Sequence, residues 1–351
     1  MRQLNWLAFL YFLSGCSNAA DAGAGQKLDA EVVLITSTPN RLEFFWDVAF
    51  ADSTIGYAVG ENDLFFKTVD GGSTWTRMPV PAGLAGTPPF KQSIHAIHFE
   101  SPTMGFASGG RNTNQGFIAK STDRGETWTI KTSFSNEYPE EIDFNGQIGL
   151  AVGNNGYVAR SADGGESWSK ITTLPSTESF ERVFMDDLAR FYVASPTAIF
   201  YSTNQGLTWT AAPKPNKPTE SAIYSGNLQM QSSMVGYTYN GAGLAKTTDG
   251  ANTWSSIWRM GPGESFGGLG FMLPEPDVLC FSQTSKAAFY ISRNGGGSYE
   301  TFTIPQYSNP NVSLSSSDIW RKFAVNGSYL YAFTVTTSNA TERALYRIKY
   351  K

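Results

Sequence analysis

The sequence predicts an all-β fold: a seven-bladed β-propeller of four-stranded antiparallel blades, with the N-terminal strand closing the last blade. Three observations predict it. A nine-residue stretch, KTVDGGSTW (Lys67–Trp75), returns as KSTDRGETW, RSADGGESW, YSTNQGLTW, KTTDGANTW and, degraded, ISRNGGGSY. Successive copies lie 40–53 residues apart, the spacing of propeller blades. Glycine is frequent (35 residues) and aromatics make up 14% of the chain, a composition of turns and strands without helix-period stripes.

The 351 residues suffice for one large core. Hydrophobic residues are 41% and charged residues 16%, so the chain is not of the disordered class. A net charge of −4 with both signs dispersed gives no basic groove for nucleic acid.

Residues 1–15 read as a targeting segment: Arg2, then the apolar run Trp6–Leu13, too short to span a bilayer, which takes ~20 apolar residues. Leu13-Ser14-Gly15-Cys16 resembles the bacterial lipobox. That resemblance implies cleavage before Cys16, its lipidation, and an exported protein anchored in a bacterial membrane, either the outer membrane or another surface facing the periplasm. Residues 16–29, with the run AADAGAG, read as lipidated Cys and flexible tether, and 30–351 as the propeller. If Cys16 is acylated, Cys280 stands alone in an apolar strand and reads as a buried inert thiol.

The strands recur in order. First strands contain Val48-Ala-Phe50, Ile97-His-Phe99, Ile142-Asp-Phe144, Val183-Phe-Met185, Leu228-Gln-Met230 and Leu269-Gly-Phe271. Second strands read IGYAVG, MGFASG, IGLAVG, FYVAS, VGYTY and DVLCF. Third strands (LFFKT, GFIAKS, GYVARS, AIFYS, GLAKT, AAFYIS) lead into the nine-residue stretch, and its last residue opens a fourth. The seventh unit has Trp320–Val325, Tyr329–Val335 and Ala344–Lys351 but no fourth strand after them. Glu31–Thr36 is expected to supply it, which closes the ring and leaves no long open edge.

The six repeated stretches resemble the Asp-box (BNR) repeat, S/T-x-D-x-G-x-T/S-W. Asp70, Asp123, Asp163 and Asp249 hold the acid position, and Asn204 and Asn294 replace it. Trp75, Trp128, Trp168, Trp209 and Trp254 close the boxes, and Tyr299 closes the last. A carboxylate or amide oxygen there can accept turn N–H groups, the glycines supply backbone angles other residues avoid, and the tryptophan buries a large area. Six dispersed copies read as a structural turn rather than one catalytic constellation. A Ca²⁺ loop needs several acids at alternating positions, and each box has one.

Sialidases carry the same boxes, so glycan binding or hydrolysis is the alternative function. The sialidase Arg-Ile-Pro motif does not occur. Glu140, Glu141, Asp143 and Glu181 are carboxylates that could pair, and are expected to form a solvated rim. Gly263–Gly267 fits G-x-S-x-G, but both histidines precede it and no helix follows. His95 and His98 are three apart, which in an alternating strand puts them on opposite faces, and no third zinc ligand is evident. No cofactor or metal is implied.

The long connectors and the turns between second and third strands should share one face of the ring, where loops carry function. Trp46, His95, Glu140, Glu181 and Arg321, two residues ahead of the core Val or Ile, are expected at the channel mouth as a candidate binding face. The whole repeat, V-x-F…G-Y-A-V-G…K-T-x-D-G-G-x-T-W, is similar to the propellers of photosystem II assembly and stability factors. That resemblance implies a non-catalytic protein with a protein partner at the cell envelope, held to the membrane by its lipid. The basic patch of those factors has no counterpart at these blade starts, which mix Glu, His, Trp and Arg.

Overall fold

The computed structural model describes residues 30–37, 44–85, 92–110, 115–174, 176–186, 190–213, 228–240, 243–259, 271–275, 278–283, 288–303, 319–335 and 342–350. Within them, strands form seven four-stranded sheets, each an antiparallel blade. The chain opens with β1 (Ala30–Ser37). Blade 1 is β2 (Phe45–Phe50), β3 (Gly56–Gly60), β4 (Phe65–Thr68) and β5 (Thr76–Arg77). Blade 2 is β6 (Ile94–Phe99), β7 (Gly105–Gly109), β8 (Gln115–Ser121) and β9 (Thr129–Ser135). Blade 3 is β10 (Pro139–Asn145), β11 (Ile148–Gly153), β12 (Val158–Ser161) and β13 (Ser169–Lys170). Blade 4 is β14 (Arg182–Met185), β15 (Phe191–Ala194), β16 (Ile199–Ser202) and β17 (Thr210–Ala211). Blade 5 is β18 (Gln229–Met230), β19 (Gly236–Asn240), β20 (Gly243–Thr247) and β21 (Ser255–Arg259). Blade 6 is β22 (Phe271–Glu275), β23 (Val278–Gln283), β24 (Ala288–Ser292) and β25 (Glu300–Thr303). Blade 7 is β26 (Ile319–Asn326), β27 (Tyr329–Val335) and β28 (Glu342–Lys349), completed by β1.

The first strands touch in cyclic order, β2, β6, β10, β14, β18, β22, β26 and back to β2. They line the axis, and the ring is closed. β1 pairs antiparallel with β28 from Ala30↔Ile348 to Ser37↔Glu342, the strand exchange expected from the sequence. The expected first strand at Leu269–Phe271 appears only from Phe271, because 269 and 270 lie outside the described residues, as do 1–29 with Cys16.

The core sits between blades. Phe45, Val48 and Phe66 pack with Tyr331, Phe333 and Leu345 across the closure. Tyr57, Val59 and Phe65 pack with Ile97, Phe117 and Trp128, and Phe106 and Ile118 with Ile142, Phe144 and Tyr157. The glycine at the start of the second strand in blades 1, 2, 3 and 5 follows from this packing. A Cβ on Gly56, Gly105 or Gly149 would fall 2.6, 2.6 or 2.5 Å from the ring of Phe50, Phe99 or Phe144, and on Gly236 2.2 Å from the Met230 sulfur. The Phe or Met ending the first strand and the Gly starting the second are one packing unit.

A second regularity joins the blades. The residue after each box acid has a positive φ, from 59° to 68°, and its carbonyl accepts a hydrogen bond from the preceding blade. The donors are Tyr331 Oη to Gly71, Tyr57 Oη to Arg124 (2.8 Å), Lys120 Nζ to Gly164 (2.7 Å), Arg160 Nε to Gln205 (2.7 Å), a guanidinium nitrogen of Arg190 to Gly250 (3.4 Å) and Lys246 Nζ to Gly295 (3.5 Å). Blade 7 has no box, and there Arg293 donates instead to the Tyr350 carbonyl at 2.7 Å. Tyr57→Phe is expected to lower stability by about 1 kcal/mol, the net worth of one such bond, read from the midpoint of a urea titration.

Candidate functional site

The boxes occupy one face of the ring. In the first, the Thr68 hydroxyl donates to Asp70 (2.8 Å) and accepts the Gly72 N–H (2.8 Å). Asp70 also accepts the Thr74 N–H (2.9 Å) and hydroxyl (2.6 Å). Asp123, Asp163 and Asp249 repeat this geometry with Thr127, Ser167 and Thr253. Asn204 and Asn294 keep the N–H acceptor (2.9 Å each) and turn their amide N–H to the hydroxyl of Thr208 or Ser298. The indole N–H of Trp75, Trp128 and Trp209 closes its own turn on the carbonyl of Gly72, Gly125 or Gly206 at 3.1, 2.8 and 3.1 Å. Trp168 lies edge-on to Phe144, Trp254 packs among the buried residues between blades 4 and 5, and Tyr299 is half-buried.

The Ser167 hydroxyl and N–H and the Ser161 hydroxyl hold the Asp163 carboxyl down at about 2, below its ordinary 3.8. A lowered folded-state value means that its contribution to stability is present above 3.8 and is lost as pH falls through about 2. Asp163→Ala is expected to lower the melting temperature by a few degrees, read by differential scanning calorimetry at pH 7, and to leave ligand affinity unchanged.

The opposite face carries the starts of the first strands. In blade 1, Phe45 pairs with Gly60 and Asp47 with Val59, so Trp46 is the extra residue of a β-bulge. In blade 2, Ile94 pairs with Gly109 and Ala96 with Ser108, leaving out His95. In blade 3, Pro139 pairs with Gly153 and Glu141 with Val152, leaving out Glu140. In blade 7 the register jumps between Trp320 and Phe323, across Arg321, whose side chain lies outside the described residues. Glu181 lies just ahead of β14, its N–H bonded to the Ala194 carbonyl at 2.9 Å. Four of the five expected channel-mouth positions are therefore bulge positions, and bulges re-aim side chains at the rims of sheets. Trp46 and His95 meet, ring centroids 5.4 Å apart and tilted by 53°. His95 is buried, whereas Trp46, Glu140 and Glu181 are half-buried.

The glycine ending the second strand makes the bulge possible. A Cβ on Gly60, Gly109 or Gly153 would stand 2.1, 2.0 or 1.9 Å from the carbonyl oxygen of Phe44, Ser93 or Tyr138. That same carbonyl accepts the N–H of Glu61, Gly110 or Asn154, the residue after the glycine. Blade 4 has Ser195 at this place, and β14 and β15 pair in unbroken register.

The carboxylates expected to form a solvated rim do not all do so. Glu141 Oε2 accepts the Val183 N–H of β14 at 3.0 Å, and Asp143 accepts the N–H of Phe144 (2.9 Å) and of Met185 (3.0 Å). Asp47, buried, likewise accepts the Ile97 N–H of β6 at 2.9 Å. An innermost strand is an edge with unpaired N–H groups, and acids of the preceding blade satisfy them. The sequence reading missed this use of Asp47, Glu141 and Asp143; its signal was an acid inside an otherwise apolar inner strand. These bonds give Glu141 and Asp143 a part in joining blade 3 to blade 4.

Among the described residues no three His, Cys, Asp or Glu side chains are grouped to hold a metal, and no helix is long and apolar enough to cross a membrane. Cys280 is buried, and burial pushes its thiol up to about 12. A shallow groove of about 450 Å³, lined by Asp63, Arg77, Met78, Pro79, Val80 and Ala85, runs beside blade 1.

The family model described as photosynthesis system II assembly factor YCF48 matches residues 85–260 and 136–301. Among solved structures, YCF48 bound to D1 peptide is similar over 93% of this chain and 100% of that one, with a TM-score of 0.67 and 16% identity. YCF48 from Cyanidioschyzon merolae covers 91% of this chain and 98% of its own, at 0.62 and 15%. The GH74 xyloglucanase from Xanthomonas campestris covers 88% of this chain but 53% of its own, at 0.62 and 16%. At these identities the structural likeness shows the fold alone. No curated protein matches the chain.

Proposed function

Because the chain belongs to the photosynthesis system II assembly factor YCF48 family, we propose that it is a non-catalytic scaffold whose channel-mouth face holds a polypeptide segment of a protein partner. The carrying observation is the set of bulges that turns Trp46, His95 and Glu140 out of the inner-strand ladder at one end of the ring. A repeated backbone device at one rim, on rigid strands, positions side chains for recognition rather than for ring closure. A solved YCF48 is bound to a D1 peptide, which supports a peptide as the kind of ligand.

The protein acts in this reading at the cell envelope of a bacterium, exported and anchored through lipidated Cys16. Residues 1–15 serve as signal and 16–29 as tether, with the propeller from residue 30 onward. Two acyl chains hold a protein stably where one does not. Cys16→Ser is expected to move the protein from the membrane pellet to the soluble fraction; retention in the pellet would refute the anchor.

The test of the binding face is capture from detergent-solubilised envelope. The intact domain and a Trp46→Ala, Glu140→Gln variant of matched melting temperature are compared. Loss of specific partners by the variant supports the reading, and equal capture refutes it. A glycan-active propeller is the second reading, favoured by the GH74 likeness. Its assay is release of reducing ends from xyloglucan, and turnover would replace the scaffold reading.

A further inference from the structure

His98 is the centre of a cluster that spans three blades at the axis. Its Nε2 lies 3.5 Å from Glu100 Oε2, at the end of its own strand, and its Nδ1 3.9 Å from Asp143 Oδ1 on β10. The imidazole stacks on Phe144 at 6.1 Å. Glu100 in turn accepts the Gly146 N–H of blade 3 at 3.0 Å, and Asp143 accepts the Met185 N–H of blade 4 at 3.0 Å. The charged groups facing the imidazole are Glu100 of blade 2, Asp143 of blade 3 and Asp47 of blade 1, and Glu141 adds its charge to Asp143. One imidazole therefore stands among carboxylates from three blades, and those carboxylates hold the backbone of the next.

We infer that Glu100, His98 and Asp143 form a proton-operated clasp between blades 2, 3 and 4, closed while His98 is charged and loosened when it loses its proton. The physical reason is charge balance in a confined space. With His98 protonated, Asp143 and Glu100 have a cation between them. Without it, Asp143, Glu100, Glu141 and Asp47 repel one another, and water entering the channel to screen them competes for the N–H groups of Val183, Met185 and Gly146.

The titration directions agree. Burial pulls His98 down, but the Glu100 carboxylate 3.5 Å away and the Asp143 and Asp47 charges outweigh it and raise the group above 6.5. Burial raises Asp143 from 3.8 to about 6, against the opposing pull of His98. Both folded values are raised, so the folded ring binds more protons than the unfolded chain. For Asp143 the stabilisation is complete below 3.8 and is lost as pH rises through about 6. For His98 it is complete below 6.5 and is lost as pH rises through the folded value. The Asp-box carboxylates have the opposite sign and titrate below pH 4, outside this window.

The test is the melting temperature and amide hydrogen exchange of the full propeller at pH 5.5 and 8, the exchange corrected for the intrinsic rate. The melting temperature is expected to fall by on the order of 3 °C at the higher pH, with protection lost at Met185 and Gly146 but kept in the outer strands. His98→Gln combined with Asp143→Asn should abolish both differences, since Asp143 alone still titrates in this window; if the double variant retains them, the clasp is refuted. Should the double variant fail to fold, Asp143→Asn by itself keeps an acceptor for Met185 and removes the charge. It is expected to shrink the pH difference, and an unchanged difference also refutes the clasp. The chain has two histidines, so His98 can be followed by its own NMR titration. A midpoint at or below that of a free imidazole would overturn the proposal. The outcome is independent of partner capture, since no partner is present.

Discussion

Gly109→Ala should be among the most damaging single-methyl changes in the chain. The new Cβ would sit 2.0 Å from the Ser93 carbonyl oxygen and 2.9 Å from the Ile94 Cα. Both are backbone atoms, so no side chain can swing aside. The overlap forces the start of β6 away from β7 and breaks the bond from the Gly110 N–H to Ser93. Overpacking of this kind is expected to cost about 3 kcal/mol, at the upper end of its usual range, or roughly 6 °C in melting temperature for a domain of this size. Gly146→Ala is the control. Gly146 has a positive φ of 60°, but nothing lies within 4 Å of its Cβ position, so only the backbone cost of about 1 kcal/mol applies. Chemical denaturation of the two variants decides the matter. Equal costs would mean that the bulge is not fixed by this close approach. The same experiment touches the candidate site, because the displaced residues carry His95.

That link explains which parts of the molecule were legible in the sequence. The blades were legible because they repeat a common solution: a first strand ending near a Phe or Met, a glycine that receives that side chain in blades 1, 2, 3 and 5, and, in blades 1 to 6, a box that turns the chain back. Asp70 and its equivalents could be assigned to turns from residue types alone, since donor and acceptor lie within four residues of each other. The ring closure was legible because blade 7 lacked a strand and the N-terminus had a spare one. The joining of blades was not. The donors to the box carbonyls are Tyr, Lys and Arg drawn from different strand positions, a regularity of place without a regularity of residue type. The channel cluster was hidden for another reason. Strand alternation was counted straight through His95 and His98, although the register shifts at His95, and spacing along one strand carries no sign of a carboxylate such as Asp143 that reaches His98 from the next blade. Counting by twos across a bulge cannot assign His98 to its neighbours, and Glu141 and Asp143 took the appearance of solvated acids because their partners are backbone N–H groups of another blade.

Deleting residues 30–37 should have the largest effect on the fold. β1 is the outermost strand of blade 7 and pairs along its length with β28, and Glu31 bonds Arg347 at 2.9 Å. Without β1, a β28 edge of eight residues is unpaired, and such an edge recruits other chains. The damage should spread across the closure, because β27 and β28 supply Tyr331, Phe333 and Leu345 to the cluster shared with Phe45, Val48 and Phe66 of blade 1. Tyr331 also donates to the first box at Gly71. Unlike loss of an outer strand from an open sheet, this change removes the strand pairing by which the N-terminal strand completes the C-terminal blade. The truncated protein is expected to melt at least about 10 °C lower, to aggregate on heating, and to be cleaved by trypsin near Arg347. A synthetic peptide of residues 30–37, supplied in trans, should raise the melting temperature again in proportion to its occupancy. A truncated protein with unchanged melting temperature and protease resistance would show that blade 7 stands on three strands, and that the ring is held by interblade packing rather than by its N-terminal strand.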